Sequence, residues 1–458
     1  MLDRVLATID SRRQRSLDLL KDFLRIPSVS TKPEHAGDVK RCAQWLADQI
    51  REAGLTPTIH PTTGHPIVVA KNEHKPGRPT VLMYGHYDVQ PPEPLELWKT
   101  PPFEPDLRRD ENGFDAVYAR GAVDDKGQVW CHVEAIRAFA GDLPVNLTML
   151  IEGEEEIGSD NLEDFVKQNA ELLKADVCVI SDTNQFSRGL PAITYGLRGL
   201  CYMEVFVTGP DHDLHSGMYG GAVPNPANVL CRLIASLHDK DGRVTIPGFY
   251  DDVAPLSQEE RDQWKKLPLT EEQFAVGVGI PFGNGEAGFT SIERKWARPT
   301  CDVNGLTAGY QGHGAKTVIP SKASAKVSMR LVPNQDPVKI RAAFEQHLRD
   351  GCPKNVKIEF ESHGGSPGVL TPIDSPYVQK AREALKTGFG VEPTIMREGG
   401  SIPVVGLIKQ VLGIDTLLIG FGLPDDRVHS PNEKFDLDAL HKGTRTAAAL
   451  YASLQGAI

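Results

Sequence analysis

Residues 145–159 read VNLTMLIEGEEEIGS, in which an apolar pattern runs directly into the acids Glu154, Glu155 and Glu156. Every second residue from Val145 to Ile151 is apolar, which predicts a β-strand that enters a hydrophobic core. Adjacent carboxylates repel one another, and removing them from water is costly unless a cation neutralises them. A solvated acidic turn is the simpler interpretation. A cation-binding site at the end of a buried strand is the alternative.

Composition excludes several classes of protein. The chain has 458 residues, which is long for a single core and predicts two domains. Its net charge of −11 argues against a nucleic-acid partner or an anionic membrane surface. No apolar run is long enough to span a bilayer, and residues 1–20 have the pattern of an amphipathic helix rather than a secretory signal. The seven cysteines are scattered without a C-x-x-C pair, so we expect reduced thiols and a cytoplasmic location.

The first part of the chain alternates strand and helix patterns. RPTVLMYGH (78–86), VNLTMLIEG (145–153) and ADVCVISD (175–182) are short apolar runs, whereas DKGQVWCHVEAIRAFA (125–140) has apolar residues at helical spacing. The same rhythm returns after residue 372. The pattern predicts an α/β fold with a mainly parallel sheet and helices on both faces.

A different pattern occupies residues 195–372. Strictly alternating strands and helices follow the order β-α-β-β-α-β, the ferredoxin-like arrangement, with a long irregular insertion over residues 241–300. The smaller α+β domain therefore interrupts the larger one. We expect one domain built from residues 1–194 and 373–458, and a second domain built from residues 195–372.

Potential metal ligands follow the predicted strands or lie in loops expected at the same edge of the sheet. Because ligands bind at the carboxyl ends of the strands in α/β sheets, these side chains should meet there. Imidazole and carboxylate without thiolate suit zinc, manganese or cobalt at a catalytic site. The candidates are His86, Asp124, the pair Glu155–Glu156, Asp182 and His429.

Each candidate also has an ordinary explanation when taken alone. A single histidine in a chain with 14 of them is more often a packed or surface residue. Asp124 and Asp125 could cap the following helix, adjacent glutamates are usually solvated, and Asp182 could open a turn. The coincidence of five such segments at one edge favours a joint metal site.

Several motifs resemble those of the aminoacylase–carnosinase family of dinuclear zinc peptidases, nearest the cytosolic non-specific dipeptidase and carnosinase branch. The match runs in the family's order from residue 23 to the C-terminus, and H-x-D together with D-D-K-G and E-E is highly specific. The resemblance implies a catalytic α/β domain interrupted by a lid that dimerises. The matching segments are FLRIPSVS, MYGHYDVQP, RGAVDDKG, EGEEEIGS, VISD, DLHSGMYGG, KTVIPSKASAKVSMRLVP, REGGSIP and HSPNE.

The resemblance implies two divalent metal ions per subunit, zinc or manganese. Asp124 would bridge both ions, His86 and Asp182 would complete one site, and Glu156 and His429 would complete the other. The family also implies a cis peptide bond after Asp124.

Two further acids receive roles from the same resemblance. Asp88 would orient the imidazole of His86 and raise its basicity. Glu155 would be the general base. It would take a proton from a water molecule that both metal ions bind, which leaves a hydroxide, and it would return that proton to the leaving amine.

The remaining assignments concern substrate recognition. By resemblance His215 would stabilise the oxyanion in the partner subunit of a homodimer, and Thr317 would reach across the same interface. Arg330 would pair with the substrate's C-terminal carboxylate, although a surface ion pair is its ordinary alternative. Ser401 and His363 are further candidate contacts, with turn chemistry as the simpler explanation.

The sequence therefore predicts a metal-dependent dipeptidase that cleaves short peptides with free C-termini. An N-acyl-amino-acid deacylase or carboxypeptidase-like amidohydrolase on the same site is the nearest alternative. A metal-binding scaffold without activity is a remote one, because Glu155 and all five ligand positions are retained.

Overall fold

The computed structural model describes residues 1–456 and divides into two compact units, each of which is described by itself. The first unit contains Met1–Tyr195, Thr371–Met396 and the chain from Leu407 onward; the second contains Gly196–Leu370 and Arg397–Gly406. No helix in the described part of the chain is both long and apolar enough to cross a membrane.

The helices and strands follow one another along the chain in three stretches. The first stretch contains α1 (Leu2–Leu24), α2 (Ala36–Glu52), β1 (Thr56–His60), β2 (Ile67–Lys71), β3 (Thr80–His86), β4 (Asp106–Arg109), β5 (Asp115–Tyr118), α3 (Lys126–Ala138), β6 (Asn146–Glu152), α4 (Leu162–Gln168), β7 (Val177–Ile180) and β8 (Ala192–Leu197). The second contains β9 (Gly199–Thr208), β10 (Leu214–His215), α5 (Ser216–Tyr219), α6 (Pro226–Ala235), α7 (Gln258–Trp264), α8 (Glu271–Gly277), α9 (Ser291–Ala297), β11 (Thr300–Ala308), β12 (Val318–Ile319), β13 (Lys322–Leu331), α10 (Pro337–Gly351), β14 (Lys357–Ser366) and β15 (Val369–Leu370). The third contains α11 (Pro376–Phe389), β16 (Thr394–Glu398), α12 (Pro403–Leu412), β17 (Thr416–Leu418), β18 (Lys434–Asp436) and α13 (Leu437–Leu454).

The large sheet of the first unit has the strand order β1-β2-β6-β3-β7-β17-β8. Its central strands β6, β3, β7 and β17 run parallel, while β1, β2 and β8 join antiparallel on either side. Every residue of β6 and β7 is buried, and successive side chains of a strand point to opposite faces. Both faces of the sheet are therefore covered, and the predicted α/β fold with a parallel core is confirmed.

Helix α3 lies in the middle of the first unit's core. Every residue of α3 except Arg137 is buried, and the helix packs against α1 and α13. The Phe23 ring of α1 stacks on Trp45 of α2 with ring centroids 4.9 Å apart. The predicted amphipathic helix at the N-terminus is thus present as α1, with its apolar face in the core.

A small sheet that the sequence did not predict joins two loops of the first unit. Strands β4, β5 and β18 form an antiparallel sheet in the order β18-β5-β4. Strand β5 leads into the loop that carries Asp124, and β18 follows the loop that carries His429. Pairing of Lys434 with Tyr118 brings these two loops together. Strands of three or four residues have too few positions to show an alternating pattern.

The second unit contains a four-stranded antiparallel sheet in the order β11-β13-β9-β14. Along β9 fully buried residues alternate with half-buried ones, and helices α6 and α10 pack against the sheet. The side chains of Asn225 and Asp336 accept the backbone N–H of Ala227 and Val338, respectively, and so cap the first turns of α6 and α10. This element order and sheet order confirm the predicted ferredoxin-like arrangement.

The insertion over residues 241–300 is more regular than predicted. It contains α7, α8 and α9, and each of these helices begins with a reciprocal capping box. In α7, for example, the Ser257 hydroxyl accepts the backbone N–H of Glu260, whose carboxylate accepts the backbone N–H of Ser257. The S/T-x-x-E/Q spacing was readable in the sequence, but the helices are only seven residues long and show little apolar periodicity.

The compact units differ from the predicted domain division by one or two residues at the boundaries of residues 195–372 and by one whole segment. Arg397–Gly406 belongs to the second unit, whereas residues 373–458 were assigned together to the larger domain. The segment is held by Arg198, whose Nε donates to the Gly399 carbonyl at 2.9 Å and whose carbonyl accepts from the Ser401 hydroxyl at 2.5 Å. The division into a catalytic domain of residues 1–194 and 373–458 and an inserted domain of residues 195–372 stays a prediction.

Candidate metal centre

Three neighbouring parallel strands deliver acids and an imidazole to one edge of the sheet. His86 is the last residue of β3, Asp182 lies two residues beyond β7, and Glu156 lies in a short 3-10 turn that follows β6. Because β3 pairs in parallel with both β6 and β7, the three strand ends lie side by side. The strand ends thus place the three side chains at one edge of the sheet, each at the last residue of a strand or within four residues beyond it.

Asp124 and His429 come from the two loops that the small sheet joins. Asp124 lies shortly before α3, and its peptide bond to Asp125 is cis, as the resemblance implied. His429 lies between β17 and β18 and has a left-handed backbone conformation, with φ of 61°. A left-handed conformation in a residue other than glycine is uncommon and is concentrated at functional sites.

The five predicted ligands form two groups that share one carboxylate. In the first group, His86 Nε2 lies 3.1 Å from Asp124 Oδ1 and 3.9 Å from Asp182 Oδ2. In the second, His429 Nε2 lies 3.0 Å from Asp124 Oδ2 and 3.3 Å from Glu156 Oε2. The potential ligand atoms of each group all lie within 4.8 Å of one another. The two oxygens of Asp124 therefore face different groups, while the ligand roles themselves stay predictions.

The electrostatics of the cluster show an excess of buried acid. Burial, followed by the charge of Asp124, raises the pKa of Asp182 to about 7. Hydrogen bonds to Asp124 and Glu156 raise the pKa of His429 to about 10 despite partial burial. Burial alone would lower the pKa of His86, but hydrogen bonds to Asp124 and Asp88 raise it well above its usual value. Divalent zinc and manganese bind imidazole nitrogens and carboxylate oxygens, and their positive charge would neutralise the excess of carboxylates. The residues present therefore fit such ions.

Glu155 lies at the edge of the same cluster. Burial raises its pKa to about 8, and the negative charges of Asp182, Glu156 and Asp124 act in the same direction against the nearby His86. A half-buried carboxylate with this proton affinity near neutral pH is suited to proton transfer.

Asp88 connects the end of β3 to the glutamate turn. Its buried carboxylate accepts the backbone N–H of Glu155 at 3.2 Å and that of Glu156 at 3.1 Å. His86 Nδ1 lies 3.1 Å from the backbone carbonyl of Asp88 and 3.4 Å from its Oδ1. Asp88 is thus in contact with the imidazole it was predicted to orient, and it also holds the turn that carries the two glutamates.

The three consecutive glutamates have different partners, which explains how they tolerate one another. Glu154 is buried, and its two oxygens accept from the His65 backbone N–H and from Asn161 Nδ2, both at 2.8 Å. Glu156 joins the second ligand group, and Glu155 lies beside both groups. The triplet is therefore neither a solvated turn nor a single cation site.

Two residues within the recognised motifs were left without a role by the sequence. Gln90 Nε2 donates to Glu156 Oε2 at 2.7 Å, and the carboxylate of Glu433 accepts the backbone N–H of Asp124 at 3.2 Å. Both residues stand in the quoted segments MYGHYDVQP and HSPNE. The motifs therefore include these positions, but a sequence does not indicate which distant group each side chain contacts.

In the second unit the structure brings His215 and Thr317 together. Strand β10 pairs with β12, so that His215 lies opposite Val318, and the Thr317 carbonyl accepts the backbone N–H of Ser216 at 3.1 Å. The side chain of His215 is exposed, and its Nδ1 accepts the backbone N–H of Gly217 at 3.0 Å. Their assignment to substrate or transition-state binding stays a prediction.

Arg330 and Ser401 also meet within the second unit. Arg330 Nη1 donates to the Ser401 hydroxyl at 2.9 Å, and this pair rests on the backbone of Arg198. His363 lies elsewhere on the sheet, with its Nε2 3.2 Å from Glu204 Oε2 and its ring beside Tyr202. The first two residues therefore form a group, whereas His363 is paired with an acid instead.

The sequence and the structure are both similar to those of known peptidases. Residues 82–453 match the model of peptidase family M20/M25/M40. The chain is 35% identical to the Cys-Gly metallodipeptidase dug1 of Schizosaccharomyces pombe, over 97% of this chain and 96% of that protein.

Two crystal structures are similar along nearly their whole length. Human carnosine dipeptidase 1 is 31% identical with a TM-score of 0.84, covering 99% of this chain and 98% of that one. The metallo-carboxypeptidase Sso-CP2 of Sulfolobus solfataricus is 34% identical with a TM-score of 0.85, covering 96% of this chain and 99% of that one.

Proposed function

The chain belongs to peptidase family M20/M25/M40, and we propose that it is a metallodipeptidase that hydrolyses dipeptides and short peptides with a free C-terminal carboxylate. The observation that carries this proposal is the pair of ligand groups that share Asp124 beside Glu155. Similarity to a Cys-Gly metallodipeptidase and to carnosine dipeptidase 1 supports dipeptides as substrates.

The two ligand groups are proposed to hold two divalent ions, zinc or manganese. His86, Asp124 and Asp182 would bind one ion, and Asp124, Glu156 and His429 would bind the other. Such ions, when bound, lower the pKa of a water molecule and polarise the substrate carbonyl. Gln90 holds the carboxylate of Glu156 by a hydrogen bond. Asp88 holds the imidazole of His86 through the contact between its backbone carbonyl and His86 Nδ1.

Glu155 is proposed as the general base. Its carboxylate takes the proton of the attacking water and then gives that proton to the nitrogen of the leaving amine. The turn that carries Glu155 is held to β3 through the carboxylate of Asp88, which accepts the backbone N–H of Glu155. This contact keeps the base in place without using its side chain.

Arg330 and Ser401 are proposed to bind the C-terminal carboxylate of the substrate. A guanidinium has five N–H donors in a planar fork, of which the bond to Ser401 uses one, and such a fork can pair bidentately with a carboxylate. His363 is proposed as a further substrate contact that would exchange its Glu204 partner for the substrate.

A homodimer in the cytoplasm is proposed as the functional form. Strand β11 lies at an edge of the four-stranded sheet and exposes Val303 and Leu306, at 43% and 51%, respectively. Such an edge offers backbone groups for pairing with a second copy of the chain. His215 and Thr317 would then act in the partner subunit, with His215 stabilising the oxyanion. The free cysteines of the chain support a reducing compartment.

A substrate panel on protein of defined metal content tests the activity. Metal-free enzyme would be loaded with Zn²⁺ or Mn²⁺ and offered Cys-Gly, β-Ala-His and Ala-Ala, with Ala-Ala-amide, N-acetyl-alanine and N-blocked tripeptides as comparisons. The proposal predicts metal-dependent cleavage of the free dipeptides and at least about tenfold slower cleavage of the amide. Preference for N-acetyl-alanine would indicate a deacylase, and preference for blocked peptides would indicate a carboxypeptidase, which is how Sso-CP2 is named.

A further inference from the structure

A carboxylate outside the two ligand groups lies completely inside the first unit. Glu433 is 0% exposed and follows His429 by four residues in the segment HSPNE. Burying a carboxylate is unfavourable unless it is paired and hydrogen-bonded. The contacts of Glu433 therefore indicate what keeps it there.

Each oxygen of Glu433 accepts from the segment that leads to Asp124. Oε1 accepts the backbone N–H groups of Val123 and Asp124 at 3.1 and 3.2 Å. Oε2 accepts the backbone N–H of Gly121 at 3.0 Å and Arg120 Nη1 at 2.7 Å. The carboxylate thus serves as the common acceptor for a turn whose last residue, Asp124, belongs to both ligand groups.

The main chain of Glu433 makes a further connection between the same segments. Its carbonyl accepts the backbone N–H of Ala119 at 3.1 Å, and the pairing of β18 with β5 begins at the next residue, Lys434. Arg120 is itself buried and also donates to the Pro91 carbonyl at 3.2 Å. The loop that ends at Asp124 and the loop that contains His429 are therefore tied together at one point.

The His429 loop needs such an anchor because its backbone is unusual. Arg427, His429 and Asn432 all have positive φ, at 58°, 61° and 63°. Conformations of this kind in residues other than glycine persist only where the surrounding structure imposes them. Asn432 supplies one constraint, since its Oδ1 accepts the Lys99 backbone N–H and its Nδ2 donates to the Leu97 carbonyl.

We propose that Glu433 is a positioning residue that joins the Asp124 and His429 segments and so sets the geometry of the two ion sites. Asp124 contributes to both groups and His429 to the second, so loss of the Glu433 carboxylate would alter both sites at once. The inference rests on the metal-binding part of the proposed function and does not depend on the substrate.

Glu433→Gln tests the inference through metal binding rather than activity. The amide is nearly isosteric, but it removes the charge opposite Arg120 and directs an NH₂ group at N–H donors. Substitution of a residue that hydrogen-bonds to metal-binding groups typically weakens metal affinity by about 10- to 100-fold. We therefore expect Zn²⁺ binding at both sites to weaken by that factor, as measured by competition with a chromophoric chelator. The absorption spectrum of the Co²⁺-loaded variant should also differ from that of the wild type.

Glu286→Gln is the matched control. Glu286 is buried and forms a bidentate ion pair with Arg298 at 2.7 and 2.8 Å, but it belongs to the second unit, which contains none of the proposed ligands. Its variant should lower the thermal unfolding midpoint without changing Zn²⁺ affinity by more than about twofold. A Glu433→Gln protein with wild-type Zn²⁺ affinity and an unchanged Co²⁺ spectrum would overturn the inference, whatever its stability.

Two milder variants keep the test decisive if Glu433→Gln does not fold. Glu433→Asp retains the charge but shortens the side chain, and Arg120→Lys retains the opposing cation but changes its geometry. Both should weaken Zn²⁺ binding, and wild-type affinity in both would contradict the inference. If the wild type binds two ions but cleaves no peptide, the proposed function fails while the positioning role of Glu433 stands.

Discussion

Two groups of candidate residues, one in each unit, differ in how firmly the chain holds them. In the first unit, His86, Asp88 and Asp124 are buried and each makes several hydrogen bonds to other parts of the chain. In the second unit, His215 and Thr317 are exposed and are placed mainly by a two-residue strand pair. A preorganised cluster can bind an ion without rearrangement. The exposed His215 and Thr317 can contact a substrate only when a substrate or a partner subunit is bound next to them.

The largest effect is expected for Asp124→Ala, which removes the carboxylate shared by both ligand groups. Turnover should fall by more than about 10⁴-fold, because neither ion would be held in position. Bound metal, measured by elemental analysis after gel filtration, should fall below one ion per chain. Retention of both ions would contradict the two-site interpretation of the first unit.

Glu155→Gln separates catalysis from metal binding in the same cluster. The amide cannot accept the proton of the attacking water, so kcat should fall by about 10²- to 10⁴-fold while metal content stays near that of the wild type. Steady-state kinetics with elemental analysis of the same sample would check this. Near-normal turnover in the pure, metal-loaded variant would remove Glu155 from its role.

His215→Ala tests whether the exposed residues of the second unit act in a partner subunit. The variant alone should lose activity, since the oxyanion would lack one donor. Mixing it with Glu155→Gln and allowing subunits to exchange should restore up to about a quarter of wild-type activity, because half of the dimers would carry one complete site. Absence of any recovery, in a mixture shown by native mass spectrometry to contain mixed dimers, would place His215 in its own subunit's site or in none.

Arg330→Lys should give a smaller effect confined to substrate binding. Lysine keeps the charge but cannot pair bidentately with a carboxylate, so KM for Ala-Ala should rise by about tenfold with little change in kcat. KM for Ala-Ala-amide should change by less than about twofold. An equal rise for both substrates would indicate that Arg330 supports the fold rather than the carboxylate.

The smallest effect concerns His132, which is buried in α3 between Ser181 Oγ and the hydroxyl of Tyr451, both 2.8 Å from its ring nitrogens. Burial lowers its pKa from 6.5 to about 3. Above pH 6.5 the imidazole is neutral in both states, so it contributes no pH dependence. Between pH 6.5 and about 3 the imidazole takes up a proton in the unfolded chain but not in the folded one. The free energy of unfolding therefore decreases as the pH is lowered through this range.

His132→Gln checks this dependence because the variant lacks the titrating group. Between pH 7 and pH 4.5 the wild type should lose about 2–3 kcal/mol more unfolding free energy than the variant, as measured by urea denaturation of metal-free protein. Parallel losses in both proteins would show that burial does not lower the pKa of His132 in the folded state.

Much of the fold was readable because long, regular segments carry strong patterns. The buried strands β3, β6 and β7, the helix α3 and the β-α-β-β-α-β order of the second unit all follow from periodicity. The sheet of β4, β5 and β18 and the helices of the insertion were missed. The sequences DLRR of β4 and KFD of β18 contain no apolar run like that of the equally short β7, and a helix of seven residues has only about two turns in which to repeat a pattern. From the sequence, Arg397–Gly406 was placed in the larger domain, whereas in the structure it belongs to the second unit. Its hydrogen bonds to Arg198 join residues far apart in the chain, and no sequence pattern indicates them.

The sequence alone established which chemistry the protein carries: imidazoles and carboxylates that follow buried strands, within motifs that resemble a family of metallopeptidases. Side-chain types and their distance from a strand end are local properties, so they can be read from the chain. Only the tertiary structure decided which oxygen of Asp124 faces which group, that Gln90 holds Glu156, and that Glu433 joins the Asp124 and His429 loops. These contacts connect residues that are far apart in sequence, and their distances depend on packing that no local pattern encodes.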